Sequence, residues 1–354
     1  CIIKTSKVIT PSLWFHEKFG NKFSIFRKAL SFTEKLLSFY ILQLDQHKGL
    51  YREAYDYLEK NKDVKTIITT GEPFVLFKHG YRLKQKFELK WIADYRDGWY
   101  LNHVSLLQKG MIIKLMRKWE YLIEKRICRQ ADMIVTVDPQ MAGRLGDFLD
   151  KEIVIIYNGF WDYYSPLPKQ QEEKNYKTII NHTGTLTIGQ ELELFMDALL
   201  DMYKKKYISE SNFEFNLIGL EYFPDQMARL LPYKEIVNKI VFTTPRLPKE
   251  DAVNMNMKAD YLLNFTDPNL SAIYAKTYDY IACRKPILVV PGDKCLLENL
   301  ILDNKLGYVL NNKREIEDLL VHNKIQDLPN KNNLDFFKRK YQTKLFAKQI
   351  HLLN

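Results

Sequence analysis

Ten short apolar runs, rich in β-branched residues and bounded by turn formers, alternate with stretches of helical periodicity along this 354-residue chain. Runs of that length and composition read as strands buried on both faces, and their alternation with helices argues for parallel sheets covered on each side. In the first half they are VKTIITTG (64–71), LKWIADY (89–95), DMIVTVD (132–138) and EIVIIYNG (152–159), with helical stretches around 74–87, 108–130 and 140–150. The second half supplies KTIINHTG (177–184), FEFNLIG (213–219), KIVFTT (239–244), DYLLNF (260–265), PILVVPG (286–292) and GYVLN (307–311). Between the halves, NGFWDYYSPLPKQQEEKNYK is polar, turn-rich and proline-bearing, which puts a linker near residues 158–176. The expected architecture is α/β: two tandem doubly wound, Rossmann-like domains, 1–160 and 161–332, with a C-terminal helix, 333–354, packing back on the first. Neither an internal repeat nor a low-complexity segment interrupts this pattern.

With 46% hydrophobic residues the chain is long enough to bury two cores, and no apolar run reaches the roughly 20 residues that cross a bilayer. Its four cysteines (Cys1, Cys128, Cys283, Cys295) lie far apart without metal-type spacing and read as reduced, buried thiols of a cytoplasmic protein. The chain begins at Cys1 rather than methionine, so a preceding segment is expected. A net charge of +10 invites a polyanion. Basic residues are nevertheless scattered among acids with no nucleic-acid motif, and nucleic acid is not expected as a partner. An anionic membrane surface fits better. Residues 114–130 interleave Leu115, Trp119, Leu122, Ile123 and Ile127 with lysine and arginine, and residues 23–40 are more aromatic and more apolar still. Each stretch reads equally as a helix packed on a sheet or in a core, since periodicity alone does not separate the two.

The chemistry concentrates in SAIYAKTYDYIACRKPILVV, residues 271–290. Asp267, Pro268 and Asn269 break the chain after a strand, and Ser271 is placed to cap a helix whose last turn holds Arg284 and Lys285. Such a helix start favours anions, and Lys276 and Asp279 lie three apart on one face, so that one helix can meet both a phosphate and a ribose. Upstream stand WIADYRDGW (91–99), TTGEPF (69–74) before it and ICRQADMIVTVD (127–138) after it.

In these motifs and their order the chain resembles the family 4 retaining glycosyltransferases of bacterial surface polysaccharide synthesis, whose GT-B fold binds the donor nucleotide in its C-terminal domain. The family's mark is glutamate, seven residues, glutamate; here the frame reads Ser271, seven residues, Asp279. The resemblance implies that Asp279 hydrogen-bonds the ribose, while Ser271 replaces a glutamate near the sugar that is often linked to catalysis. It also implies two domains facing a cleft. Asp94, Arg96 and Asp97 then form the catalytic set, with Gly71 and Glu72 on the acceptor side. Gly184, Thr185, Arg246, Leu247, Ser271, Ala272, Lys276 and Asp279 bind the donor nucleotide. The strand and glycine-rich loop with which the family opens have no counterpart before Ser12, and IIKTSKVITPS corresponds to the segment after that loop. Members often carry arginine and lysine after the first strand of the C-terminal domain. NHTGTLTIGQELE (181–193) offers neither, which shifts the phosphate load to Lys276 and Arg246 or marks a weakened enzyme.

The implied reaction is hexosyl transfer from a nucleotide-diphosphate sugar to a lipid-linked or oligosaccharide acceptor, with retention, at the inner face of the plasma membrane. No metal and no cofactor beyond the sugar nucleotide is expected, and the Asp-x-Asp motif of metal-dependent transferases is absent. Two other readings stand beside it: a nucleotide-sugar 2-epimerase on the same fold, for which the seven histidines give no convincing cluster, and a non-catalytic carbohydrate-assembly module. Each motif also has a structural explanation. Asp94, Arg96 and Asp97 can be a salt-bridge cluster pinning a loop. Lys276 can snorkel from a surface helix, His182 can be a hydrogen-bonded core residue, residues 243–247 can be a turn, and Asn158 and Gly159 lead into the linker.

Overall fold

The structure, a computed structural model, describes residues 11–20, 24–37, 47–101, 110–161, 177–187, 189–222, 224–268, 271–322 and 334–353. The chain divides into two compact units, Cys1–Ile156 with Ala347–Asn354, and Tyr157–Phe346. Of the expected linker only residues 158–161 lie among those described, and Cys1, Phe23 and residues 38–40 lie outside them.

The first unit runs α1 (Pro11–Phe19), α2 (Ser24–Leu37), α3 (Lys48–Lys60), β1 (Thr66–Gly71), α4 (Val75–Phe87), β2 (Lys90–Tyr95), α5 (Met111–Cys128), β3 (Met133–Thr136), α6 (Pro139–Leu149) and β4 (Val154–Ile155). Its four strands pair in parallel in the order β1-β2-β3-β4. That register sets Thr70 beside Asp94 at the carboxyl end of the sheet. Local chemistry fixes the elements: Asp138 accepts the Met141 amide at 2.8 Å and Pro139 opens α6, an N-cap followed by the one residue that needs no amide donor there. Phe77, Trp91, Tyr95, Trp99, Ile134 and Leu145 form the core, with the Phe77 and Tyr95 rings 4.5 Å apart.

The second unit contains β5 (Thr178–Thr183), α7 (Leu192–Lys204), β6 (Phe213–Ile218), α8 (Pro224–Met227), β7 (Val241–Thr244), α9 (Lys249–Lys258), β8 (Tyr261–Phe265), α10 (Ala275–Cys283), β9 (Ile287–Val290), α11 (Leu296–Asp303), β10 (Gly307–Val309), α12 (Lys313–His322) and the start of α13 (Arg339–Leu353), whose residues from Ala347 onward belong to the first unit. Its six strands are parallel in the order β10-β9-β8-β5-β6-β7, so the winding reverses between β5 and β8. In doubly wound sheets the carboxyl ends at such a reversal bind ligands. Side chains alternate between two covered faces. Leu263 and Phe265 join Phe195, Phe215 and Leu217, whereas Leu262 and Val289 join Tyr278, Ile281 and Leu297 on the other side.

Each of the ten apolar runs holds a strand, shorter than its run because the flanking turn residues drop out. One helix differs from expectation. The helix expected to start at Ser271 begins at Ala275, after an extended Tyr274. Arg284 and Lys285 are not in its last turn: the helix ends at Cys283, and Arg284 is the left-handed residue at its end, with φ 55°. Ser271 is occupied elsewhere. Its hydroxyl accepts the Leu296 amide at 3.0 Å and donates to Asp293 at 3.3 Å, while the Asp293 carboxylate accepts the amides of Leu297 and Glu298 at 3.0 Å. Ser271 thus helps to close the start of α11, not of α10. Among the thiols, Cys128 and Cys283 are buried, whereas Cys295 is only half-buried.

Candidate functional site

At the carboxyl ends of β5, β6 and β7, on the side of the reversal, lies a cavity of about 520 Å³ within the second unit. Its wall includes six of the residues expected to hold a donor nucleotide: Gly184, Thr185, Arg246, Leu247, Lys276 and Asp279. Ser271 and Ala272 are not among its lining residues, and Asn269 lies outside the described residues. The anion site expected at a helix start on residues 269–272 is therefore corrected: the helix begins at Ala275.

Lys276 is the chemical centre of this cavity. Its Nζ lies 3.2 Å from His182 Nε2 and 3.3 Å from the Thr185 carbonyl, and no carboxylate pairs with it among the described residues. Burial of the ammonium without a counter-charge pushes its pKa down to about 7. His182 is fully buried on β5, its Nδ1 2.8 Å from the Leu263 carbonyl, and burial followed by the Lys276 charge holds its pKa well below the ordinary value. Gly184 follows β5 with φ 99°, a conformation that a side chain would strain, and a Cβ there would stand 3.6 Å from Lys276 Nζ.

Asp279 does not pair with Lys276, although the two lie one turn apart; its partner is Lys249 of α9, at 3.2 Å. Lys249, Tyr222, Asn256 and Tyr280 also line the cavity and carried no signal in the sequence. Arg246 stands with its guanidinium 5.8 Å from the Tyr222 ring. Underneath, the Tyr280 hydroxyl accepts the Thr183 amide at 2.7 Å, and the Thr183 hydroxyl donates to Asn256 at 2.9 Å. These bonds tie α9 and α10 to the end of β5 and fix the cavity floor.

In the first unit, Asp94 at the end of β2 is buried, and its Oδ2 accepts from Arg96 Nε at 3.0 Å and from the Thr70 hydroxyl at 3.1 Å. Its Oδ1 is buried with no hydrogen-bond partner among the described residues. Asp97 and Glu72 are exposed, and Gly71 is buried at the end of β1. The loop after β2 is gripped by Glu124 of α5, which the sequence did not single out. Tyr95 donates to it at 3.0 Å and the Tyr100 amide at 2.7 Å, and burial raises its pKa to about 8. A second cavity of about 660 Å³ lies beside β1, but its lining, which includes Leu58, Ile67, Leu76 and Leu83, offers no carboxylate, lysine or arginine to an ionic ligand.

The amphipathic residues 114–130 form most of α5, and their apolar residues split. Ile127 is buried, whereas Leu115, Trp119 and Leu122 are each half or more exposed, as is Met111. On α2, Ile25 and Phe26 are exposed. Among the described residues no helix is long and apolar enough to cross a membrane.

No family model matches the sequence. No curated protein matches it either. Solved structures do match the fold. A glycosyltransferase from Rickettsia africae superposes with a TM-score of 0.63 at 13% identity, covering 86% of this chain and 80% of that one. Sucrose-phosphate synthase from Thermosynechococcus elongatus gives 0.57 at 15% identity, covering 86% and 76%. Anabaena HepE in complex with UDP gives 0.56 at 12% identity, covering 84% and 81%. Two parallel α/β sheets in tandem, matched over most of the chain by these structures, give this protein the GT-B fold.

Proposed function

We propose that the chain is a retaining glycosyltransferase of the family 4 type, moving a hexosyl group from a nucleotide-diphosphate sugar to a lipid-linked or oligosaccharide acceptor. The observation that carries the reading is Lys276, a basic group in the cavity wall at the carboxyl ends of the strands, held by neutral acceptors and left without a carboxylate. Cleavage of the bond from sugar to diphosphate builds negative charge on the leaving group, and donors fixed in advance around that charge supply much of the catalysis. Lys276 and Arg246 are such donors, so the reading needs no metal and no cofactor beyond the sugar nucleotide. Asp279, one turn from Lys276, takes the ribose. HepE bound to UDP, on a similar fold, supports a nucleotide ligand.

We place the acceptor chemistry on Asp94, Arg96 and Asp97, with Gly71 and Glu72 beside them, and the protein on an anionic inner membrane face. The exposed Met111, Leu115, Trp119 and Leu122 of α5, among the exposed Lys114, Lys118 and Arg126, support that placement. Sedimentation with anionic vesicles is expected at low salt and is lost at high salt, because exposed charges are screened over about 10 Å at 0.1 M. Equal recovery on neutral vesicles would remove the membrane from the reading.

One observation favours a second reading. The serine that replaces the family's first glutamate is bonded to Asp293 and Leu296 and does not line the cavity, as suits a module that kept nucleotide binding and lost transfer. Thermal-shift titration with UDP, GDP, ADP and CMP tests both. A ligand at about 100 times its dissociation constant stabilises by about 2.7 kcal/mol. Asp279→Ala is expected to weaken the nucleotide that binds by about 1.5–3 kcal/mol, the range for a hydrogen bond to a charged group. Binding without turnover of any sugar nucleotide would select the module.

A further inference from the structure

His182 and Lys276, 94 residues apart, meet in the cavity wall, and their hydrogen bonds fix which atom carries which proton. The Leu263 carbonyl, 2.8 Å from His182 Nδ1, can only accept, so Nδ1 bears the hydrogen. Nε2 is then a lone pair, and the Lys276 nitrogen at 3.2 Å must donate to it. An ammonium has three donors. Two go to His182 Nε2 and the Thr185 carbonyl, and the third has no acceptor among the described residues. An anion in the cavity would complete the set.

We infer that His182 is a positioning residue, a neutral acceptor that holds the Lys276 nitrogen in the cavity wall, and that a bound diphosphate draws a proton from solvent onto Lys276. The inference rests on the reading of this cavity as a nucleoside diphosphate site. The charged groups around Lys276 favour it. Arg246 follows β7, Lys249 belongs to α9, and Asp279 on the same helix as Lys276 is already engaged by Lys249. Tyr222 and Tyr280 also stand in the wall, and burial pushes the Tyr280 hydroxyl well above its ordinary range, so it carries no charge near pH 7. Burial makes the proton on Lys276 unwelcome in the empty cavity, and a diphosphate there, with Arg246 and Lys249 beside it, makes it welcome. The depressed pKa of Lys276, about 7, puts this exchange near neutrality. No bond other than N–H forms, and the buffer supplies the proton.

Calorimetric titration of the full chain with UDP, and with inorganic pyrophosphate as a probe of the diphosphate alone, reads the inference in two buffers of different ionisation enthalpy. Roughly half a proton more should be taken up per ligand at pH 7 by the natural protein than by Lys276→Arg, which is charged at every pH used and carries the same titration of the ligand's own phosphates, and the affinity ratio of the two should fall by up to tenfold per unit above about pH 8. His182→Leu should weaken binding and change the uptake, whereas His182→Gln, which keeps an acceptor, should restore both in part. Equal proton linkage in the natural protein and in Lys276→Arg would overturn the inference. Affinity and uptake unaltered by His182→Leu would remove the positioning role. Proton-linked pyrophosphate binding with no nucleotide binding would sustain this inference while overturning the nucleotide reading, and binding of neither ligand overturns both.

Discussion

At the end of β2 a buried carboxylate already has its cation, whereas beside the end of β5 a basic group has no carboxylate among the described residues. Asp94 takes Arg96 and Thr70 on one oxygen, which pins the turn and gives the carboxylate its counter-charge, while its other oxygen is buried with no partner among the described residues. Among the described residues Lys276 is held by an imidazole nitrogen and a carbonyl, with no carboxylate as counter-charge. A charge neutralised by its neighbour stabilises a fold, while a charge left open is a standing penalty that a ligand can relieve. The difference separates a motif whose charge is balanced within its own loop from one whose charge is left open to an anion.

Opposite effects on stability would sharpen that contrast most. Arg96→Ala leaves the Asp94 carboxylate buried and unpaired and is expected to destabilise by about 2–3 kcal/mol, less than for a fully buried pair because Arg96 is one-third exposed. Lys276→Met should do the reverse. Its folded pKa, about 7, lies below the ordinary 10.5, so the penalty is complete below pH 7 and fades as pH rises toward 10.5. Urea melts at pH 6 should show a gain on the order of 1–3 kcal/mol, shrinking with pH, together with loss of nucleotide binding. Destabilisation by Lys276→Met at pH 6 would break the comparison.

A change of similar size, spread over the pH scale, is expected at Glu124, the buried grip on the loop. Its folded pKa, about 8, lies above the ordinary 4.5, so its contribution is complete below pH 4.5 and is lost as pH rises through 8. The slope is at most about 1.4 kcal/mol per unit. Glu124→Gln should flatten the stability profile between those limits; a profile parallel to that of the natural protein would show that the acid is not the titrating group. Least is expected at Asp97. Because it is exposed, Asp97→Asn should change stability by under about 0.5 kcal/mol and leave nucleotide affinity untouched. Transfer to an acceptor should nonetheless fall by about 10²-fold if Asp97 acts in proton transfer. Weakened nucleotide binding with normal transfer would contradict the division of labour between the two units.

The strands were legible because a parallel strand covered on both faces must be apolar at nearly every position, as ILVV is throughout and YLLNF is but for Asn264, and its neighbours must be turn formers. The start of α10 was not. A serine after a chain break resembles an N-cap in one dimension, but Ser271 bonds to Leu296, 25 residues on, and only folding brings that amide to it. Lys276 and Asp279 were found from their spacing, and both line the cavity, yet the ion pair of Asp279 with Lys249 spans 30 residues and leaves no local pattern. Glu124 reads as one acid on a basic helix; its burial depends on Tyr95 and Tyr100 closing over it.

The sequence by itself determined the order of strands and helices, the existence of two sheets and six of the fifteen residues that line the cavity of the second unit, because hydrophobic period and turn chemistry act over a few residues. Only the tertiary structure decided which charges are paired. Asp94 with Arg96, Asp279 with Lys249 and Lys276 with His182 are set by strand order and helix packing, and electrostatic energy depends on distance in space, which at 94 residues of separation no local pattern records.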